Sequence, residues 1–102
     1  MRYSHTVAIQ SCIDKATERF FIAGRISAGV GWAPVRRVVR RKLDMLHYAF
    51  KLTDLRCPPG NRLEALTKDR RGQFSIRINP QYRICFRWSD AGPLDVQIVD
   101  YL

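Results

Sequence analysis

Histidine is nearly missing from this chain. His5 and His47 are the only two, and two imidazoles alone do not make a metal site. The three cysteines, Cys12, Cys57 and Cys85, lie far apart. No pair has the close spacing of a zinc knuckle or a redox motif, and an odd count fits poorly with a secreted disulfide scaffold. They read as buried or free thiols in a reducing cytosol. Long apolar runs are also missing: Phe20-Phe21-Ile22-Ala23 stops at Gly24 and Arg25, far short of a membrane span. The first residues lack the apolar stretch of a signal peptide. There is no glycine-rich phosphate loop and no nucleophile elbow. These absences point to a cytoplasmic protein with no membrane segment, metal or other cofactor.

Acidic residues are few as well. Nine Asp and Glu face 18 Lys and Arg in 102 residues, a net charge of +9. So large a charge on one small domain creates a positive field over much of its surface, and polyanions are its natural partners. Hydrophobic residues make up 46%, enough for one modest core and too many for a disordered chain. The reading is one domain over residues 1–102, with residues 1–8 patternless.

The ordered pattern begins with a short strand from Ile9 to Ile13. Asp14 is placed to cap a helix that holds Thr17, Glu18, Arg19, Phe20 and Phe21 and ends at Gly24. A glycine-containing loop leads to Pro34, which suits the first turn of a second helix. There Val35, Val38, Val39, Leu43, Leu46 and Phe50 recur at spacings of three and four and share a face. Arg36, Arg37, Arg40, Arg41 and Lys42 fall mostly on the flanks and the other side. Five cations with no acid between them exceed what solubility needs, which favours a phosphate-facing or partner-facing surface.

The run Cys57-Pro58-Pro59-Gly60-Asn61 marks a loop into a sheet. Leu63 to Leu66 suggests a first strand, and Lys68 to Gly72 a turn. Phe74 to Ile78 and Tyr82 to Trp88 alternate apolar with polar residues, joined by a tight turn at Asn79-Pro80-Gln81. Period two puts Tyr82, Ile84, Phe86 and Trp88 on one face and Arg83, Cys85 and Arg87 on the other. A turn at Ser89 to Pro93 leads to a last strand, Val96 to Tyr101. Helices followed by an antiparallel meander give an α+β domain.

The outward face of that sheet is expected to show Arg77, Arg83, Arg87 and Gln97, with Lys68, Arg70 and Arg71 from the preceding loop. Such a surface suits single-stranded RNA, because guanidinium groups grip phosphates and stack on bases. RNA cleavage needs no metal: the 2′-hydroxyl attacks its neighbouring phosphate while the protein fixes geometry, moves protons and neutralises charge. Arginine suits the last task, and Asp100 and Tyr101 are candidates for moving protons.

Leu55-Arg56-Cys57-Pro58-Pro59-Gly60-Asn61-Arg62-Leu63-Glu64-Ala65-Leu66 and Asp69-Arg70-Arg71-Gly72-Gln73-Phe74-Ser75-Ile76-Arg77-Ile78-Asn79 resemble the middle of HigB-type toxins, the plasmid-maintenance killer proteins of the RelE/ParE superfamily. Tyr82 to Trp88 and Val96 to Tyr101 match the same family, and the resemblance covers residues 9–102. It marks Met1 to Ala8 as an N-terminal extension. It implies a RelE-like fold, with two N-terminal helices packed on a twisted antiparallel sheet. It implies a ribosome-dependent mRNA endonuclease that inhibits translation in the bacterial cytoplasm. Its partners would be the ribosome, mRNA and a HigA-type antitoxin with a helix-turn-helix domain, which alone supplies the operator DNA contacts.

By the resemblance, Arg83 falls on the family's phosphate-binding sheet arginine. Asp100 and Tyr101 fall on its acidic and aromatic residues near the C-terminus. Glu64 stands where some members carry histidine and is a candidate general base. The family pattern continues with histidine after the tyrosine, whereas this chain has Leu102, which neither donates nor accepts a proton. Two other readings follow: a weakened or non-catalytic module of the same fold that binds antitoxin or ribosome, and a basic DNA-binding domain, for which no recognition helix is evident.

Overall fold

The computed structural model describes residues 8–102, so the extension assigned to Met1 to Ala8 lies outside the described residues except for Ala8. Two helices precede a four-stranded antiparallel sheet: α1 (Lys15–Ala23), α2 (Arg36–Tyr48), β1 (Glu64–Ala65), β2 (Phe74–Arg77), β3 (Tyr82–Ser89) and β4 (Gly92–Asp100), with sheet order β1-β2-β3-β4. The α+β class read from the sequence is the class observed. Among the described residues, no helix is long and apolar enough to cross a membrane.

Asp14 caps α1 as expected. Its carboxylate accepts the Thr17 N–H at 3.0 Å and the Thr17 hydroxyl at 2.8 Å. Gly24 ends α1 in the left-handed region (φ 69°), and its N–H donates to Phe20 C=O at 2.9 Å. Arg40 of α2 donates to the C=O of Phe20 and of Phe21 at 3.0 and 2.9 Å, putting a cation where the α1 dipole is negative.

Pro34 lies in a single 3₁₀ turn, Ala33–Val35, just before α2. Val39, Leu43 and Leu46 are fully buried along one stripe of α2. Phe50 departs from the expected face. The helix ends at Tyr48, so Phe50 lies beyond it and is 62% exposed. Lys42 departs in the other direction. It sits three residues after Val39 and four before Leu46, on the buried stripe, and its ammonium donates to Asn61 Oδ1. Burial and the neighbouring Arg41 pull its pKa down.

Asn61 repays this contact with a full set of bonds. Its Nδ2 donates to Leu55 C=O at 3.1 Å and Cys57 C=O at 3.3 Å. A buried amide thus ties α2 to the proline-rich loop. Phe20 of α1 and Val39, Leu43 and Leu46 of α2 share one buried cluster with Ile76, Ile84, Phe86 and Val96 of the sheet.

The strand expected at Ile9 to Ile13 is reduced to a single parallel bridge, Cys12 with Val96. Its physical cause is a bulge in β4. Between the pairs Cys85–Gln97 and Arg87–Leu94, β4 carries one more residue than β3, and Asp95 adopts φ 54° there. The bulge turns Val96 backbone groups toward Ser11 C=O (3.0 Å) and Ile13 N–H (2.9 Å). The strand expected at Leu63 to Leu66 is present only as Glu64–Ala65.

Candidate nucleic-acid interface

The site starts from the β2–β3 hairpin. Asn79 Oδ1 accepts the N–H of Gln81 at 2.8 Å and of Tyr82 at 2.7 Å, closing the turn with its own side chain. The resulting register sets Arg83 opposite Arg77 on β2 and Val99 on β4, and sets Ser75, Cys85 and Gln97 in one cross-strand row. Directly paired residues point to the same side of a sheet, so these side chains share one face.

That face is more enclosed than alternation alone suggests. Arg83 was expected to be displayed on it, yet only 9% of Arg83 is exposed, and Cys85 is fully buried. Arg83 Nε donates to Ser75 Oγ at 2.8 Å and its Nη2 to Arg62 C=O at 2.7 Å. The Glu64 carboxylate stands 3.7 Å from Nη2. Arg62 offers its carbonyl from a left-handed position (φ 48°) just after the turn Pro59–Asn61. A buried guanidinium is tolerated because these acceptors replace water.

Tyr101 closes over this arginine. Its N–H donates to Gln81 C=O at 2.7 Å, its ring centre lies 5.8 Å from Arg83 Cζ, and its hydroxyl is 3.8 Å from Cys85 Sγ. Partial burial and then the Cys85 contact raise the Tyr101 pKa, while the charges of Arg83 and Arg70 act in the opposite sense. Burial likewise raises the Cys85 pKa, against the hydrogen bond shared with Tyr101 and the same two arginines. Both groups keep their protons at neutral pH, so Tyr101 presents a hydroxyl there and Cys85 is not a thiolate nucleophile.

Beside Tyr101 opens a cleft of about 400 Å³, lined by Leu66, Thr67, Lys68, Asp69, Arg70 and Tyr101. The single turn Lys68–Arg70 forms its wall. Arg70 Nη1 is braced by Gln73 Oε1 at 3.2 Å and Gln97 Oε1 at 3.4 Å. The bracing fixes the arginine near the tyrosine while leaving guanidinium N–H groups for an anion.

The family described as the RelE-like toxin of the type II toxin-antitoxin system HigB matches residues 10–102. The chain belongs to this HigB-like toxin family. "Toxin HigB-1" of Vibrio cholerae is 42% identical over 64 residues, which is 63% of this chain and 67% of that protein. An uncharacterized protein of Haemophilus influenzae is 41% identical over 54 residues, 53% of this chain and 54% of its own length. As a member of a type II toxin family, the chain has an antitoxin as its implied partner.

The toxin's expected site residues divide into three groups. Lys68, Arg70 and Tyr101 come together at the cleft, with Arg83 against the Tyr101 ring and Glu64 against Arg83. Arg71 is exposed and lies outside the cleft lining; Arg77 is half-buried across from Arg83. Arg87 lies further along β3 and pairs with Asp95 at 3.5 Å. Asp100 is set apart. It pairs with Tyr82 and so points to the opposite side of the sheet from Arg83. Its carboxylate accepts Gln81 Nε2 at 3.1 Å and the Leu102 N–H at 2.9 Å.

Ser75, Arg62 and Cys85 were not singled out in sequence as site residues, whereas Gln97 was expected on the outward face and does reach Arg70 from it. Ser75 and Cys85 were legible in part, since strand alternation puts them on the Arg83 face. The Arg62 carbonyl had no sequence signal, because it is backbone.

Proposed function

We propose that this toxin is a ribosome-dependent mRNA endoribonuclease that acts without a metal and receives the RNA strand in the Lys68–Arg70–Tyr101 cleft. The observation that carries this reading is the placement of Tyr101, whose ring covers the Arg83 guanidinium and whose side chain lines the basic cleft. In this mechanism the 2′-hydroxyl attacks the adjacent phosphorus and the bond to the 5′-oxygen breaks. The products are a 2′,3′-cyclic phosphate and a 5′-hydroxyl. Lys68 and Arg70 neutralise charge on the phosphorane. Tyr101 gives its proton to the leaving 5′-oxygen, and the buried Arg83 charge stabilises the tyrosinate left behind. Glu64, more than half exposed beside Arg83, accepts the 2′-hydroxyl proton. Asp100 acts as a positioning residue, holding the chain around Tyr101 through the Gln81 side-chain amide and the Leu102 N–H.

Arg71, Arg77 and Arg87 extend the basic face along the RNA. In the same reading the two helices cover the apolar face of a twisted RelE-like sheet and leave the Arg83 face to RNA. The toxin works in the bacterial cytoplasm, is neutralised by a HigA-type antitoxin, and reaches operator DNA only through that antitoxin's helix-turn-helix domain.

A non-catalytic reading rests on one observation. Leu102, where the resemblance implies histidine, is 89% exposed and offers no proton-transfer group. mRNA cleavage on programmed ribosomes separates the two readings when the chain is compared with its Arg83→Ala, Tyr101→Phe and Leu102→His variants. The nuclease reading expects cuts that weaken by about 10²–10⁴-fold in Tyr101→Phe. Cleavage seen solely with Leu102→His identifies a disarmed toxin. No cleavage by any of them favours a binding module.

A further inference from the structure

The strongest unassigned feature is a second groove, between the C-terminal end of α1 and the start of α2. It encloses about 470 Å³, and its lining includes Phe20, Ile22, Ala23, Arg36, Arg37 and Arg40. None of these residues lines the Tyr101 cleft. Its chemistry also differs from that cleft. The floor and rim are apolar, with Ile22 73% exposed, and the walls are arginine.

The three arginines are not equally free. Arg40 is committed to the carbonyls of Phe20 and Phe21 and pairs with Asp44 at 3.5 Å. Arg36 gives one bond, at 3.1 Å, to the Ala33 carbonyl. Neither Arg36 nor Arg37 has an acidic partner among the described residues. An isoleucine side chain largely in water beside two unpaired cations calls for a partner with both an apolar and an acidic side.

We propose that this groove is where the toxin binds its antitoxin, through an amphipathic segment whose apolar side chains cover Ile22 and Ala23 and whose Asp or Glu side chains pair with Arg36 and Arg37. Three considerations select this occupant. The type II toxin family implies a protein partner. The apolar floor gives nothing to a phosphate backbone, which would be served by cations alone. The segment Met1 to Val7 of this chain carries Arg2 and no acid, so it has the wrong charge to complement the groove. The proposal does not depend on nuclease activity, because it concerns a surface separate from Tyr101.

The test titrates purified antitoxin into the toxin by calorimetry. It compares the parent with the double variant Arg36→Glu/Arg37→Glu, with Ile22→Asp, and with Lys68→Glu in the other cleft. All four substituted residues are exposed, and thermal melting of each variant checks that the fold is intact. The expected result is a Kd at least tenfold weaker for the double variant and for Ile22→Asp. Lys68→Glu and the conservative Arg36→Lys/Arg37→Lys bind within about threefold of the parent. A Kd unchanged in both groove variants overturns the proposal. So does unchanged antitoxin binding together with lost binding of polyadenylate RNA, which makes the groove a nucleic-acid surface.

Discussion

The guanidinium carbon of Arg83 lies 5.8 Å from the centre of the Tyr101 ring. This relationship spans β3 and the residue just after β4, and it rests on the register that pairs Arg83 with Val99 and Tyr82 with Asp100. Arg83 and Cys85 are two residues apart on one strand and face the same way, so Tyr101 can touch both. An arginine held by a serine, a carbonyl and a carboxylate becomes a fixed charge, and Tyr101 both covers it and lines the cleft.

Tyr101→Phe keeps the ring over Arg83 and removes the transferable proton. Ribosomal cleavage is expected to fall about 10²–10⁴-fold while melting temperature stays nearly unchanged. The raised Tyr101 pKa sets the sign of the pH effect. The Tyr101 proton is present at neutral pH and is lost only above the ordinary tyrosine value of 10.0. Cleavage by the parent should therefore show no tyrosine-linked loss below that pH, measured as rate against pH.

Arg83→Ala removes two hydrogen bonds from the site and leaves the Ser75 hydroxyl, the Arg62 carbonyl and the Glu64 carboxylate short of a donor. Stability should fall by about 1–3 kcal/mol in urea unfolding. Arg83→Lys retains the charge but lacks the fork that reaches Ser75 and Arg62 together. It should recover part of the cleavage and little of the stability.

Tyr101→Ala uncovers Cys85, which is fully buried in the parent. In a Cys57→Ser background, which removes the exposed thiol, Cys85 should react faster with a thiol reagent once the tyrosine is gone. Equal labelling rates would mean that Tyr101 does not shield the sulfur.

Asn61→Ala should be among the most damaging single changes outside the apolar core. It strands the carbonyls of Leu55 and Cys57 and leaves the Lys42 ammonium buried without its acceptor. The expected loss is about 2–4 kcal/mol, read from the urea midpoint. Lys42→Met, which removes the buried charge while filling similar space, should cost clearly less.

Cys12 gives a stability effect at alkaline pH. Burial first, then Glu18 and Asp14, raise its pKa from 9.0 to about 11. The folded state holds this proton more tightly than the unfolded state. Its contribution is full below pH 9.0 and declines as pH rises toward about 11. Cys12→Ala should flatten that part of the curve of melting temperature against pH.

Local chemistry was legible wherever neighbouring residues decide the structure. The Asp14 cap and the Gly24 stop were readable from residue type, and Asn79-Pro80-Gln81 was readable as a turn. Alternation located β2 and β3 to within a residue or two. The misreadings arose where a distant segment intervened. Lys42 looked solvent-facing because it is charged, although its spacing from Val39 and Leu46 already put it on the buried stripe. The Ile9 to Ile13 strand shrank to one bridge because the partner edge of β4 carries a bulge at Asp95.

The sequence by itself determined the positive charge, the α+β order of elements, the faces of β3 and, through its specific blocks, the family. These properties depend on composition and on periods of two and 3.6 residues, which a single chain displays directly. Tertiary structure alone decided what the face of β3 that bears arginine does. It buried Arg83 beneath Tyr101, gave it Ser75, Glu64 and the Arg62 carbonyl, and turned Asp100 to the other side of the sheet. Those outcomes depend on cross-strand register and on a backbone carbonyl brought in from a separate loop, and neither is written in the pattern of side chains along the chain.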